Sequence, residues 1–144
     1  MTIKITSLKP SQASLGVILN FLSKSEPFAS HSLKAIAGAV RVQLETANHL
    51  VALDGETIVG YAGWMRVTSE NAERWLKKEA QLVQAQAAEA DAGALTMVVS
   101  GDQSVTRKLI RGARDRNKGV RVVFRRDYES NGKATKRQSV LNRA

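Results

Sequence analysis

The chain contains no cysteine, only two histidines and no long apolar run. Without thiols, disulfides, thiolate catalysis and every cysteine-based zinc site are excluded. Two histidines and scattered carboxylates are then the only metal candidates, and neither a metal nor a bound cofactor is expected. The longest apolar stretch, Leu15 to Leu22, is interrupted by Gly16 and Asn20 and falls far short of the roughly 20 residues that span a bilayer. Lys4 and Lys9 precede it, but the stretch is short and broken and no clean small-x-small cleavage site follows, so a signal peptide is not expected. A cytoplasmic protein with no membrane span is the expectation. The 144 residues suit a single domain, 1–144, able to bury a core without disulfides.

What is present is positive charge, and it is one-sided. Residues 1–100 carry nine Lys/Arg and nine Asp/Glu, whereas residues 101–144 carry thirteen basic and four acidic residues, the whole of the +9. Such a field steers an acidic partner: nucleic acid, an anionic membrane or an acidic protein. Charge alone does not choose among them.

Hydrophobic spacing gives the elements. Ser11 is placed to cap a helix over 11–24, with Leu15, Ile18, Leu19 and Leu22 on one face. Leu33, Ile36, Val40 and Leu44 predict a second helix from Ser32 to Leu44, although Val40 to Leu44 also alternates like a strand. Leu50–Leu53, Asp54-Gly55 and Thr57–Met65 read as a hairpin, because Asp-Gly suits the positive φ of a tight turn. Ala72, Trp75, Leu76, Ala80, Val83 and Ala87 predict one long surface helix from Ser69 to about Asp91, with Trp64 and Trp75 as core. A short strand at Leu95–Val99 follows, then a helix opening at Gly101-Asp102 and ending at Lys118-Gly119. Val120–Arg126 and Ala134–Leu141 read as strands joined by a turn at Ser130-Asn131-Gly132. The predicted order is α-α-β-β-α-β-α-β-β, an α+β protein.

Ile58-Val-Gly-Tyr-Ala-Gly-Trp64, followed by Ser69-Glu-Asn-Ala-Glu-Arg-Trp-Leu76, resembles the toxin-activating lysine acyltransferases that modify RTX toxins. The similarity extends through Leu15-Gly16, Ser25, Ala47-Asn48, Ser100-Gly101-Asp102 and Arg125-Arg126-Asp127, so it covers most of the chain. The resemblance implies an N-acetyltransferase-like (GNAT-like) fold, a mixed, mostly antiparallel sheet with helices packed on it. It also implies an acyl donor carried on acyl carrier protein, a lysine-bearing protein as acceptor, and a homodimer. Arg107, Lys108, Arg111, Arg114 and Arg116, with Arg125 and Arg126, would then meet the acidic carrier; they equally suit a solvated face or the phosphates of a nucleic acid. Against nucleic acid, the basic region offers only Phe124 and Tyr128 for stacking on bases.

Acyl transfer to lysine needs a base to take the amine proton. The family places a histidine just after its first helix; here Glu26-Pro-Phe-Ala-Ser-His31 puts Phe28 at that place, and a three-residue shift brings His31 to it or else leaves His31 as a helix N-cap. The family's aspartate falls on Leu95–Val99, which has no carboxylate; Asp102 lies close, as a second catalytic residue or as a helix cap. His49 reads as structural. Ser100-Gly-Asp-Gln-Ser-Val-Thr-Arg107 has one glycine and an acid where acetyl-coenzyme A enzymes place a glycine-rich, phosphate-binding loop, so conventional coenzyme A binding is disfavoured. Three functions therefore stand: a lysine acyltransferase, a nucleic-acid-binding protein, and an acyltransferase-like binder or inhibitor without turnover.

Overall fold

A computed structural model gives the structure; it describes residues 2–130 and 133–142, and the side chains of residues 2–124. The elements in chain order are β1 Ile3–Thr6, α1 Gln12–Leu22, a 3-10 turn Phe28–Ser30, α2 Leu33–Glu45, β2 His49–Asp54, β3 Thr57–Val67, α3 Ser69–Leu76, β4 Ala92–Ser100, α4 Gln103–Arg116, β5 Arg121–Ser130 and β6 Lys133–Asn142. The strands form one sheet in the order β1-β2-β3-β4-β5-β6. The pairs β1–β2, β2–β3 and β5–β6 are antiparallel, and β4–β5 is parallel. This is the mixed, mostly antiparallel α+β sheet expected from the sequence. The predicted turn at Asn131-Gly132 lies outside the described residues.

Helix capping explains why α1 and α2 begin where they do. The Ser11 hydroxyl accepts the Ser14 N–H at 3.0 Å, and the Ser32 hydroxyl accepts the Ala35 N–H at 3.1 Å, each satisfying an amide that has no partner within its helix. Gly55, at φ 63°, closes the β2–β3 hairpin as its Asp-Gly sequence predicts. Two expectations need correction. β1 is missing from the predicted order, because four residues are too few for periodicity to register. The long helix from Ser69 ends at Leu76, not near Asp91. There Lys78, at φ 60°, takes the left-handed position; its N–H donates to Trp75 O at 3.0 Å and the Glu79 N–H to Arg74 O at 2.8 Å. These two bonds make a Schellman stop with lysine where glycine is usual.

The chain packs as two compact units, Met1–Gly63 with Met97–Ala113 and Trp64–Thr96 with Arg114–Ala144. In the second, Val67, Ala72, Trp75, Leu76, Ala92, Ala94 and Val123 form the core, and Trp64 is also buried, so both tryptophans are packing residues. Glu73 of α3 pairs with Arg121 of β5. Both are partly exposed, which makes the pair worth less than about 1 kcal/mol.

In the first unit Ile18, Leu22, Ile36, Val40, Leu44, Val51, Tyr61, Met97 and Val99 form the core. A buried polar chain crosses it. The Leu8 N–H donates to His49 Nε2 at 2.9 Å, so the ring carries its proton on Nδ1 and donates it to the Gln43 carbonyl at 3.2 Å. The Gln43 side chain accepts from the Tyr61 hydroxyl and donates to Met97 Sδ at 3.6 Å. Burial pushes the Tyr61 hydroxyl far above its usual range, which keeps it protonated and a donor. His49 is the structural residue its sequence context suggested. Gly63, opposite His49 on β3, makes room for this chain: a Cβ there would lie 2.3 Å from Gln43 Oε1.

Gly63→Ala should therefore lower stability by about 1–3 kcal/mol, because the buried amide cannot move aside without abandoning Tyr61. In a Gln43→Ala background the same substitution should cost far less, and chemical denaturation of the four proteins measures the coupling. Equal costs in both backgrounds would show that Gln43 is not the obstacle.

Candidate functional site

The first candidate is the turn from β4 into α4, where Ser100, Asp102, Ser104 and Thr106 bind one another. Asp102 Oδ1 accepts the Ser104 N–H at 2.7 Å. Ser100 Oγ donates to the Asp102 carbonyl at 2.6 Å and accepts the Asp102 N–H at 3.2 Å. With the Ser100 proton so used, the Thr106 hydroxyl is the donor in its 2.8 Å contact with Ser100 Oγ. The Asp102 carboxyl is held below the usual carboxylate range, first by the Ser104 amide and then by the Ser104 hydroxyl, with smaller help from the Val105 amide and the Lys108 charge. A fixed anion thus sits on the free amides of α4, where the helix dipole favours negative charge. The bond to the Ser104 amide makes Asp102 a cap of α4.

His31 follows the 3-10 turn and is exposed. Its Nδ1 lies 2.8 Å from the Pro27 carbonyl. A carbonyl only accepts, so Nδ1 carries the proton and Nε2 keeps its lone pair in the neutral ring. The ring rests 5.8 Å from Phe28, centroid to centroid. Ser32, not His31, caps α2, so the N-cap reading of His31 is corrected: it stands one residue before the cap. Among the described residues no hydrogen bond joins His31 to Asp102.

The cations expected to bind a partner are also placed. Arg107, Lys108 and Arg111 are exposed on α4 within the first unit, because Val105, Leu109 and Ala113 take the buried face of that helix. Arg114 and Arg116, in the second unit, stand in the last turn, where the helix C-terminus favours positive charge. The side chains of Arg125 and Arg126 lie outside the described residues. A shallow cavity of about 260 Å³ opens between the start of α1 and the end of α2, lined by Ser11, Leu15, Arg41, Leu44 and Glu45 among others; neither His31 nor Asp102 reaches it. Among the described residues no cluster of three metal-ligating side chains occurs, and no helix is long and apolar enough to cross a membrane.

Sequence reasoning missed the Ser100–Thr106 hydroxyl pair and the Gln43–Tyr61 contact. Ser-x-Asp-x-Ser before an apolar helix stripe was a readable signal for the first. Nothing local signals the second, since its residues come from different elements.

Comparison with known proteins finds the fold repeated. No family model matches the sequence and no curated protein matches it, but solved structures do. A GNAT family acetyltransferase from Brucella melitensis, solved with acetyl-CoA, is 15% identical with a TM-score of 0.61, covering 99% of this chain and 90% of that one. PH1933 from Pyrococcus horikoshii is 16% identical with a TM-score of 0.61, over 91% and 82% of the two chains. The PaiA N-acetyltransferase from Thermoplasma acidophilum, solved with coenzyme A, is 14% identical with a TM-score of 0.53, over 91% and 83%. The N-acetyltransferase-like fold implied by the sequence is the observed fold.

Asp102 provides a pH test of the α4 turn. Its folded-state pKa is depressed, so its contribution to stability is present above the unfolded value near ~4 and is lost as pH falls through the lowered range. Asp102→Ala should melt at a lower temperature than wild type at neutral pH, and the gap should close on acidification below about pH 4. A gap independent of pH would mean that the charge plays no part in the cap.

Proposed function

We propose that this chain is a protein-lysine acyltransferase of the toxin-activating type, taking a thioester-bound acyl group from acyl carrier protein. Acyl transfer as the reaction class rests on the shared fold, by analogy with the acetyltransferases that have it. The choice of donor rests on one observation: the Asp102 carboxylate seated on the Ser104 amide. A diphosphate-bearing donor such as coenzyme A is held by unoccupied amides at a helix N-terminus. Here those amides already bind an anion of the chain itself, which repels a second. A carrier protein needs no such cradle. Its acidic surface is complementary to Arg107, Lys108 and Arg111 on the exposed face of α4.

In this reading a neutral lysine amine attacks the thioester carbonyl. The new N–C bond forms, the C–S bond breaks, and the amine proton passes to His31 Nε2 and from there to the departing thiolate. The Nδ1–H bond to Pro27 supports His31 as the base, because it leaves Nε2 as the proton acceptor.

A second reading draws on the same turn. Asp102 is used up as a cap and Leu95–Val99 supplies no carboxylate, which favours an acyltransferase-like binder that keeps the basic face without turnover. Nucleic acid is the remaining partner for such a face.

Mass spectrometry of acyl transfer from acylated carrier protein and from free acyl-coenzyme A to a lysine-bearing protein separates these readings. The expected result is transfer from the carrier, reduced about a hundredfold or more by His31→Ala and weakened by Arg107→Glu with Arg111→Glu. Transfer of similar efficiency from free acyl-coenzyme A would overturn the donor assignment. Folded protein that binds carrier protein, or random DNA with steep salt dependence, yet transfers nothing would establish a binding module instead.

A further inference from the structure

β5 and β6 outrun the sheet to which they belong. β4 pairs with β5 only from Ala92↔Arg121 to Leu95↔Phe124, whereas the antiparallel ladder of β5 and β6 continues from Val123↔Val140 to Ser130↔Lys133. β6 ends the strand order, so residues 125–130 and 133–138 form a two-stranded arm with no third strand beside it among the described residues. Six residues at about 3.4 Å each make the arm about 20 Å long. A two-stranded hairpin on its own is marginally stable in water, and a partner that binds the formed arm stabilises it.

The register sorts the charges of the arm. Successive residues of a strand alternate between its faces, and residues opposite each other in the ladder share a face. The one register shift, between Val122 and Val123, comes before the arm, so the alternation within it is unbroken. One face therefore carries Arg125, Lys136, Asp127 and Glu129, where two cations and two acids cancel. The other carries Arg126, Arg137 and Lys133 with no acid, so the whole positive surplus of the arm lies on it. Arg126 stands directly opposite Arg137. Like charges in that position cost a hairpin stability, and an anion shared between them turns the repulsion into attraction.

We propose that this arm is a docking surface for duplex DNA, its Arg126, Arg137 and Lys133 face meeting the phosphates of the major groove. A two-stranded ribbon is one of the two elements that this groove admits. Lys133 pairs with Ser130, four residues along the strand from Arg126, which separates the two ends of the cationic face by about 14 Å and spreads them along a backbone that is charged throughout. An acidic protein fits less well. A stable protein interface takes about 20–30 residues a side, more than the whole arm supplies, whereas phosphate contacts alone hold a protein on DNA. Duplex RNA is disfavoured by its deep, narrow major groove. The surface is separate from the proposed acyl transfer, because the cations given to the carrier protein lie on α4 in the first unit and the arm lies in the second.

Fluorescence anisotropy of a labelled DNA duplex of about 20 base pairs, titrated with the full chain over a range of salt, tests the surface. Binding should weaken as salt rises, and Arg126→Gln with Arg137→Gln should make the slope of log affinity against log salt shallower by about two, one counterion for each lost contact. That variant relieves a repulsion, so the arm persists, and backbone NMR shifts of β5 and β6 check that it does. Arg126→Lys with Arg137→Lys, which keeps both charges, should restore most of the slope. Arg125→Gln with Lys136→Gln removes the same charge from the other face and should leave the slope near that of wild type. Equal losses from the two glutamine pairs would make the arm a source of net charge only and overturn the proposal. So would the absence of binding, equal affinity for duplex RNA, or binding abolished by Arg107→Gln with Arg111→Gln and untouched by the arm variants, which would assign the DNA to α4.

Discussion

The first unit depends on a polar chain buried in an apolar core. His49 is fully buried, and burying an imidazole, an amide and a phenol is costly unless each finds a partner. Here each does, and the partners come from the segment before α1, from α2, from β2, from β3 and from β4. A hydrophobic contact tolerates sliding; a hydrogen bond between buried groups does not. This chain therefore fixes the position of α2 on the sheet, and with it the end of the segment that carries His31. Gly63 follows from it: the strand has no side chain at the one place where the Gln43 amide must lie. A parallel case lies on the other side of the strands. Gly60 faces Val105 and Leu109, and Gly112 faces Leu50; a methyl group added at either would fall within 2.9 Å of its neighbour, so α4 approaches β2 and β3 at backbone distance.

That close approach bears on the chemistry proposed for α4. The helix is seated by apolar residues on one face, which leaves its cations outward, and its first turn is closed by Asp102 and Ser100. A phosphate site and a carboxylate cap use the same amides, so the presence of one argues against the other. The fold is shared with acetyltransferases solved with coenzyme A or acetyl-CoA, but fold and ligand are separable. In this chain the amide of Ser104 at the start of α4 is taken by the Asp102 carboxylate.

Much of this was legible in the sequence where the determining forces are local. Ser11 and Ser32 cap the helices they precede, Asp54-Gly55 turns the hairpin, and the Val105–Leu109–Ala113 spacing orients α4. The N-acetyltransferase-like fold was legible too, through the resemblance rather than through any one motif. What escaped is non-local. The stripe from Ala72 to Ala87 is a sound helical signal, and it is overruled by Arg66 and Asn71, whose side chains bond to the Ala90 carbonyl and the Val83 N–H through the folded chain. The His49–Gln43–Tyr61 contacts escaped because polar residues in three different elements carry no shared period. The bonds of His31 to Pro27 and of Asp102 to Ser104 are likewise contacts that spacing does not encode.

The strand that went unread has a consequence of its own. β1 lies at the end of the sheet order, four residues long, with Lys4 exposed between Ile3 and Ile5. An open sheet edge is a template on which another copy can add a strand, and a short edge bearing a lysine is a poor template. Replacing that lysine with an apolar β-former would leave three consecutive isoleucine-like positions at the rim. The brevity that hid β1 from periodicity thus also makes this rim a poor template for a further strand.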